Sequence, residues 1–118
     1  MVLVDHVSVT LDGTPVLHDI SFRIEAGQVA GYVGPNGAGK TTTMRLLTGA
    51  LKPDAGRIEV GGVDVARDPL GAKRRFGFVP EHGHLYESFT PTEYLAFIGR
   101  MHGLDEAVLA TRTAAHLR

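Results

Sequence analysis

Lys40 stands between Gly39 and Thr41 in the run Gly34-Pro35-Asn36-Gly37-Ala38-Gly39-Lys40-Thr41-Thr42. Gly34, Gly37 and Gly39 carry no Cβ, so the backbone can take unusual φ/ψ there and come close to a ligand. A polyphosphate needs such an approach, because backbone N–H groups must point inward around it and side chains would stand in the way. Gly34, Gly39, Lys40 and Thr41 fit the P-loop pattern G-x-x-x-x-G-K-[ST]. In that pattern Lys40 gives a point charge to the β- and γ-phosphates. The Thr41 hydroxyl can ligate Mg²⁺, which takes hard oxygen ligands. The competing reading is a Gly-rich turn with an incidental lysine, and the flanking elements decide between the two.

Strand, loop and helix are the flanks that a phosphate cradle requires. Val29-Ala30-Gly31-Tyr32-Val33 is small and apolar without polar alternation, which predicts a short strand covered on both faces. Thr42 to Leu51 predicts a helix with Met44, Leu47 and Leu51 on one face. Such a helix directs its free N–H groups and the positive end of its dipole at the phosphates.

The remaining elements build out from this core. Val2 to Thr10 and Val16 to Glu25 predict two strands, joined through Asp12-Gly13. Ile20, Phe22 and Ile24 alternate with Ser21, Arg23 and Glu25, so the pair is antiparallel with one wet face. Arg57–Val60 and Val63–Val65 flank Gly61-Gly62, a hairpin signal. Asp68-Pro69 opens a short helix as N-cap and first helical residue, and Phe76-Gly77-Phe78-Val79 predicts a further strand ended by Pro80. Thr90-Pro91-Thr92-Glu93 is a capping box ahead of a helix that carries Tyr94, Leu95, Ile98 and Met101 on one stripe and stops at Gly103. Asp105 to Leu117 predicts a last helix.

Composition narrows the function classes. A chain of 118 residues, 43% hydrophobic and 21% charged, suits one globular domain with a modest core. A formal net charge of -1 offers no electrostatic ground for nucleic acid or acidic lipid, so no nucleic-acid partner is expected. The absence of cysteine rules out disulfides and thiolate metal sites. No apolar run reaches the ~18–20 residues of a membrane span, and Met1 to Thr10 lacks the pattern of a signal peptide, so a cytosolic protein is the default. Gly37 to Thr42 begins like a dinucleotide-binding G-x-G-x-x-G run but has threonine where the last glycine belongs. His82 and His84, two apart, lack a third ligand at recognisable spacing and read as a solvated loop. Lys73-Arg74-Arg75 reads as a solvated helix end. The Tyr94 stripe reads as core, with a partner-docking face as the alternative.

Taken in order, these segments resemble the ATP-binding cassette (ABC) family of transporter ATPases over nearly the whole chain. Leu17-His18-Asp19-Ile20-Ser21-Phe22-Arg23-Ile24-Glu25-Ala26-Gly27-Gln28 is similar to the family's run before the loop. Gly34 to Thr42 is its common form of the P-loop, and Leu46 to Gly49 with Pro53 to Gly56 is similar to the segment that follows. Phe76 to Glu81 sits where the family leads into its Q-loop, and Thr90 to Leu95 resembles the start of its helical subdomain. The subgroup it most resembles is the bacterial exporters with a separate membrane subunit.

The resemblance implies an α/β P-loop NTPase fold in three parts: an antiparallel β-subdomain over 1–28, a P-loop βα core over 29–80, and the Q-loop region with the start of a helical subdomain over 81–118. It implies Mg-ATP as ligand, with Gly34, Pro35, Asn36, Gly37, Ala38, Gly39, Lys40, Thr41 and Thr42 on the phosphates, and Thr41 and Glu81 on Mg²⁺. Lys40 and Glu81 would be the catalytic groups, and Leu11 and Val16 would lie near adenine. It also implies a transmembrane permease subunit and a second ATP-binding subunit as partners, at the inner face of the cell membrane. Two substitutions depart from the family pattern. Leu11 holds a position where an aromatic ring usually stacks on adenine, which predicts weaker base affinity. Glu81 replaces the Q-loop glutamine, and an ionised carboxylate accepts hydrogen bonds without donating them. The family's signature loop, Walker B carboxylates and switch histidine do not occur in these 118 residues, so the chain reads as a truncated, N-terminal part. Two other functions stay open: a nucleotide-binding module without hydrolysis, and an ABC protein outside transport.

Overall fold

Asp12 and Gly13 both take positive φ, 49° and 76°, the sign pattern of the type I′ turn whose twist suits a two-residue hairpin. In the computed structural model, which describes residues 1–34, 39–83 and 85–117, this turn joins β1 (Val2–Leu11) to β2 (Thr14–Ile24). β3 (Ala55–Val60) and β4 (Val63–Asp64) form the second hairpin across Gly61-Gly62. All pairings are antiparallel, in the order β2-β1-β3-β4. α1 (Lys40–Leu47) and α2 (Pro69–Lys73) complete a first unit, Met1–Phe78. α3 (Pro91–Met101) and α4 (Glu106–His116) make up a second unit, Val79–Arg118. No described helix is long and apolar enough to cross a membrane.

The core of the first unit follows from alternation along the strands. Val4, Val7 and Val9 of β1, Leu17 of β2, and Ile58 and Val60 of β3 are buried together with Leu46 of α1 and Ala72 of α2. Fully burying one such Val or Leu side chain contributes about 1.5–3 kcal/mol, and these residues hold the helix that follows the P-loop. On β2 the expected alternation holds: Ile20, Phe22 and Ile24 are half-buried, while Ser21 and Arg23 are exposed.

Three register shifts, grouped at two places, bend the β1–β2 ribbon. At the first, His6 and Asp19 both adopt φ near +48° (49° and 48°). Each loses its ladder partner there, and a serine replaces it. The His6 N–H donates to Ser21 Oγ at 2.8 Å, and the Asp19 N–H donates to Ser8 Oγ at 2.9 Å. The His6 ring also meets the Asp19 carboxylate at 2.6 Å, and this bond holds the His6 pKa above its ordinary value. At the second, Val9 pairs with Leu17 and Thr10 with Pro15, leaving Val16 as the extra residue of a β-bulge.

Three expectations need correction. Val29–Val33 is not a strand, and Val29 and Val33 are 102% and 90% exposed. A strand exists through its ladder, and one covered on both faces also needs neighbours at its edges. Among the described residues nothing pairs with this segment. Phe76–Val79 forms no strand for the same reason, and Phe78 and Val79 are exposed. The helix after the P-loop ends at Leu47 rather than Leu51, because Gly49 (φ 77°) turns the chain out of it and donates its N–H to the Leu46 carbonyl. Its buried face is Thr42, Thr43 and Leu46, while Met44 is exposed.

In the second unit the Thr90–Glu93 capping box forms with both reciprocal bonds, and it holds the Glu93 carboxyl below the usual glutamate pKa. Asp105 caps α4 by accepting from the Val108 N–H. Between α3 and α4 the tight contact is Gly99 against Leu109, where a Cβ at position 99 would overlap the leucine side chain. Of the expected apolar stripe, Tyr94, Leu95 and Ile98 are half-buried and Met101 is exposed. Tyr86, Phe89, Tyr94 and Phe97 cluster with ring centroids 5.6–6.2 Å apart.

Candidate functional site

Gly39 is the N-cap of α1 in a left-handed conformation, φ 90° and ψ 9°. Only glycine fits there comfortably, for two reasons. L side chains avoid that φ, and a Cβ would lie 2.6 Å from Leu17 Cδ2 and 3.5 Å from the Val16 carbonyl oxygen. The start of α1 is thereby seated directly on β2 at the Val16 bulge. Of the two residues expected near adenine, Val16 therefore lies beside the P-loop glycine. Leu11, immediately before the hairpin turn, is half-buried against the same core.

The first turn of α1 has the local chemistry that an anion would need. Among the described residues no side chain caps it, and no acidic residue lies in its first turn, which suits its leading N–H groups to an anion. Lys40 begins the helix, and its ammonium donates to the Gly34 carbonyl, closing the two arms of the loop on each other. Thr41 is exposed, whereas Thr42 is buried in the helix face. Pro35, Asn36, Gly37 and Ala38 lie outside the described residues, as does His84. Glu81 belongs to the second unit and is exposed.

Two polar groups here belong to no motif. The Thr43 side chain is buried, 2.9 Å from the Gly39 carbonyl oxygen and 3.2 Å from the Tyr32 hydroxyl. The Tyr32 ring packs on Phe22, centroid to centroid at 5.9 Å. The signals in sequence are faint: a threonine four residues after a glycine can bond back to its carbonyl, and a lone tyrosine in a small apolar run needs a partner for its hydroxyl.

Mg²⁺ and ATP fit the residues present. The uncapped helix start and Lys40 match an anion. The Thr41 hydroxyl is a hard oxygen donor of the kind Mg²⁺ takes, and the Val16 bulge offers an apolar wall beside the loop.

Comparison with known proteins agrees with this chemistry. Residues 17–116 match the family model described as ABC transporter. The ABC-type transporter ATP-binding protein EcsA of Bacillus subtilis is 40% identical over 98 residues, which cover 83% of this chain and 40% of EcsA. The Nod factor export ATP-binding protein I of Ralstonia nicotianae is 41% identical over 97 residues, covering 82% of this chain and 30% of that protein. A solved ATP-binding subunit of an ABC transporter has a TM-score of 0.81 at 34% identity, over 90% of this chain and 44% of that one. The chain thus spans less than half the length of each of these relatives.

Proposed function

The chain belongs to the ABC transporter family, and from that premise we propose that it binds Mg-ATP as part of a transport ATPase subunit. The observation that carries this reading is the uncapped start of α1, where Gly39 is wedged against the Val16 bulge and Lys40 bridges to the Gly34 carbonyl. In this reading the backbone N–H groups from Gly34 to Thr42, through Asn36, Gly37, Ala38 and Gly39, hold the phosphates, with Pro35 shaping the loop. Lys40 neutralises the β/γ-phosphate charge. Thr41 and Glu81 hold the metal, whose chemistry would be to offset the charge that develops on the transferred phosphoryl group. Leu11 and Val16 pack on the adenine.

We further propose that the complete subunit couples ATP hydrolysis to export through a separate transmembrane permease, paired with a second ATP-binding subunit at the inner face of the membrane. The similarity to a Nod factor export protein supports export. The division into 1–28, 29–80 and 81–118 belongs to the same reading. A second reading is that these 118 residues bind nucleotide without turning it over, since the signature loop and the Walker B carboxylates that would cover the phosphates and orient water do not occur among them.

The test is titration of the chain with ATP, GTP and tripolyphosphate in the presence of Mg²⁺, together with phosphate release measured against a Lys40→Ala control. Binding of all three, ATP most tightly, with release no greater than the control, is expected. Release that depends on Lys40 would overturn the second reading. Failure to bind any of the three would overturn the first.

A further inference from the structure

We propose that Tyr32 is a positioning residue for the nucleotide phosphates, acting through Thr43 on the peptide between Gly39 and Lys40. This rests on the Mg-ATP reading of the site. The Gly39 carbonyl accepts twice from one residue, from the Thr43 N–H at 2.8 Å and from the Thr43 hydroxyl at 2.9 Å. A carbonyl can only accept, so the Thr43 hydroxyl spends its single hydrogen on Gly39, and the contact with Tyr32 at 3.2 Å is completed by the Tyr32 O–H donating to Thr43. The result is a chain from Tyr32 to Thr43 to Gly39.

Its consequence lies on the other side of the peptide. The Gly39–Lys40 peptide is planar, with its C=O and N–H pointing in opposite directions. Holding the carbonyl down along α1 points the Lys40 N–H out of the helix start, where an anion would be received. Gly39 is a glycine at φ 90°, so this peptide has little intrinsic preference and needs an external hold. The Thr43 N–H supplies one bond to the Gly39 carbonyl; the hydroxyl adds a second when it is fixed in orientation, and the Tyr32 O–H fixes it. Tyr32 is in turn set by Phe22 of β2 at 5.9 Å. It stands two residues before Gly34, in a segment without strand pairing. One hydroxyl therefore ties the chain entering the loop to the helix leaving it.

The experiment uses the 118-residue chain with Tyr32→Phe, Thr43→Val, Thr43→Ser and the double variant Tyr32→Phe/Thr43→Val. Each is titrated with Mg-ATP and with AMP, which lacks the β- and γ-phosphates. Tyr32→Phe keeps the ring on Phe22 and should weaken Mg-ATP about threefold to tenfold, the value of one hydrogen bond, with AMP affinity unchanged. Thr43→Ser should bind as the wild type, Thr43→Val should weaken ATP at least as much as Tyr32→Phe, and the double variant should be no weaker than Thr43→Val. The proposal is overturned if Tyr32→Phe binds ATP like the wild type, if ATP and AMP weaken alike, or if Thr43→Ser is no better than Thr43→Val. A wild-type chain that does not bind Mg-ATP refutes the functional reading and the phosphate role with it. Amide exchange at Lys40 and Thr43 without nucleotide then reports on the brace alone: faster exchange in Tyr32→Phe upholds it, and equal exchange refutes it.

Discussion

Replacing Gly39 by alanine should damage both the fold and the site, by an amount that a control glycine can calibrate. The backbone at Gly39 has φ 90°, and placing an L side chain in a left-handed conformation costs about 1–2 kcal/mol. The new Cβ would also meet Leu17 Cδ2 at 2.6 Å. Leu17 is only 5% exposed, so it yields by leaving its rotamer, at about 0.5–1.5 kcal/mol. Together these give roughly 1.5–3.5 kcal/mol. Gly13 has φ 76° and nothing within 4 Å of where a Cβ would stand, so Gly13→Ala carries the backbone cost alone, about 1–2 kcal/mol. Urea unfolding of the two variants isolates the steric part, and adding Leu17→Ala to Gly39→Ala should remove that part non-additively. Gly39→Ala should also weaken Mg-ATP, because relief of the clash lifts the start of α1 away from Val16, while Gly13→Ala should leave binding unchanged. If both variants unfold at the same urea concentration and bind nucleotide equally, the close approach of Gly39 to β2 is not what positions the loop.

Other outcomes follow from the same structure. Leu11→Tyr should tighten ATP about threefold to tenfold, since an aromatic face adds roughly 0.5–1.5 kcal/mol beyond area burial; unchanged affinity by calorimetry would remove Leu11 from the base. The His6–Asp19 contact raises the His6 pKa from 6.5, so its stabilisation is fully present below 6.5 and is lost as pH rises through the raised value. The Tm advantage of the wild type over His6→Gln should therefore shrink from acidic to alkaline pH, and an advantage that grows would contradict the pairing. Thr90→Ala removes the N-cap bond of α3 and should cost about 0.5–2 kcal/mol, read as faster amide exchange in the first turn of that helix.

The parts legible in sequence are those governed by local rules. The Asp12-Gly13 and Gly61-Gly62 turns, the Asp68 and Thr90 caps and the in–out alternation of β2 each depend on a few neighbouring side chains, and the structure has them where the residues predict. The helix stop is equally local, yet in the bare sequence the periodicity of Met44, Leu47 and Leu51 outweighs the stop signal of Gly49. Val29–Val33 and Phe76–Val79 differ in kind, because a strand is a property of its partners, and composition reports only that a segment is apolar. In the site, glycine and lysine spacing marks the cradle, but the bulge that leaves Val16 beside Gly39 comes from register, which one strand cannot specify alone. The Tyr32–Thr43 contact joins residues eleven apart in sequence, and no spacing rule covers it.

Whether the start of α1 is a Mg-ATP site is decided by calorimetric titration of the wild-type chain and Lys40→Ala with ATP and Mg²⁺. Lys40 is the cation that closes on Gly34 and begins the helix. A saturable isotherm is expected for the wild type, nearly abolished in Lys40→Ala, with the variant still folded by circular dichroism. Equal affinity in the two proteins would contradict the assignment.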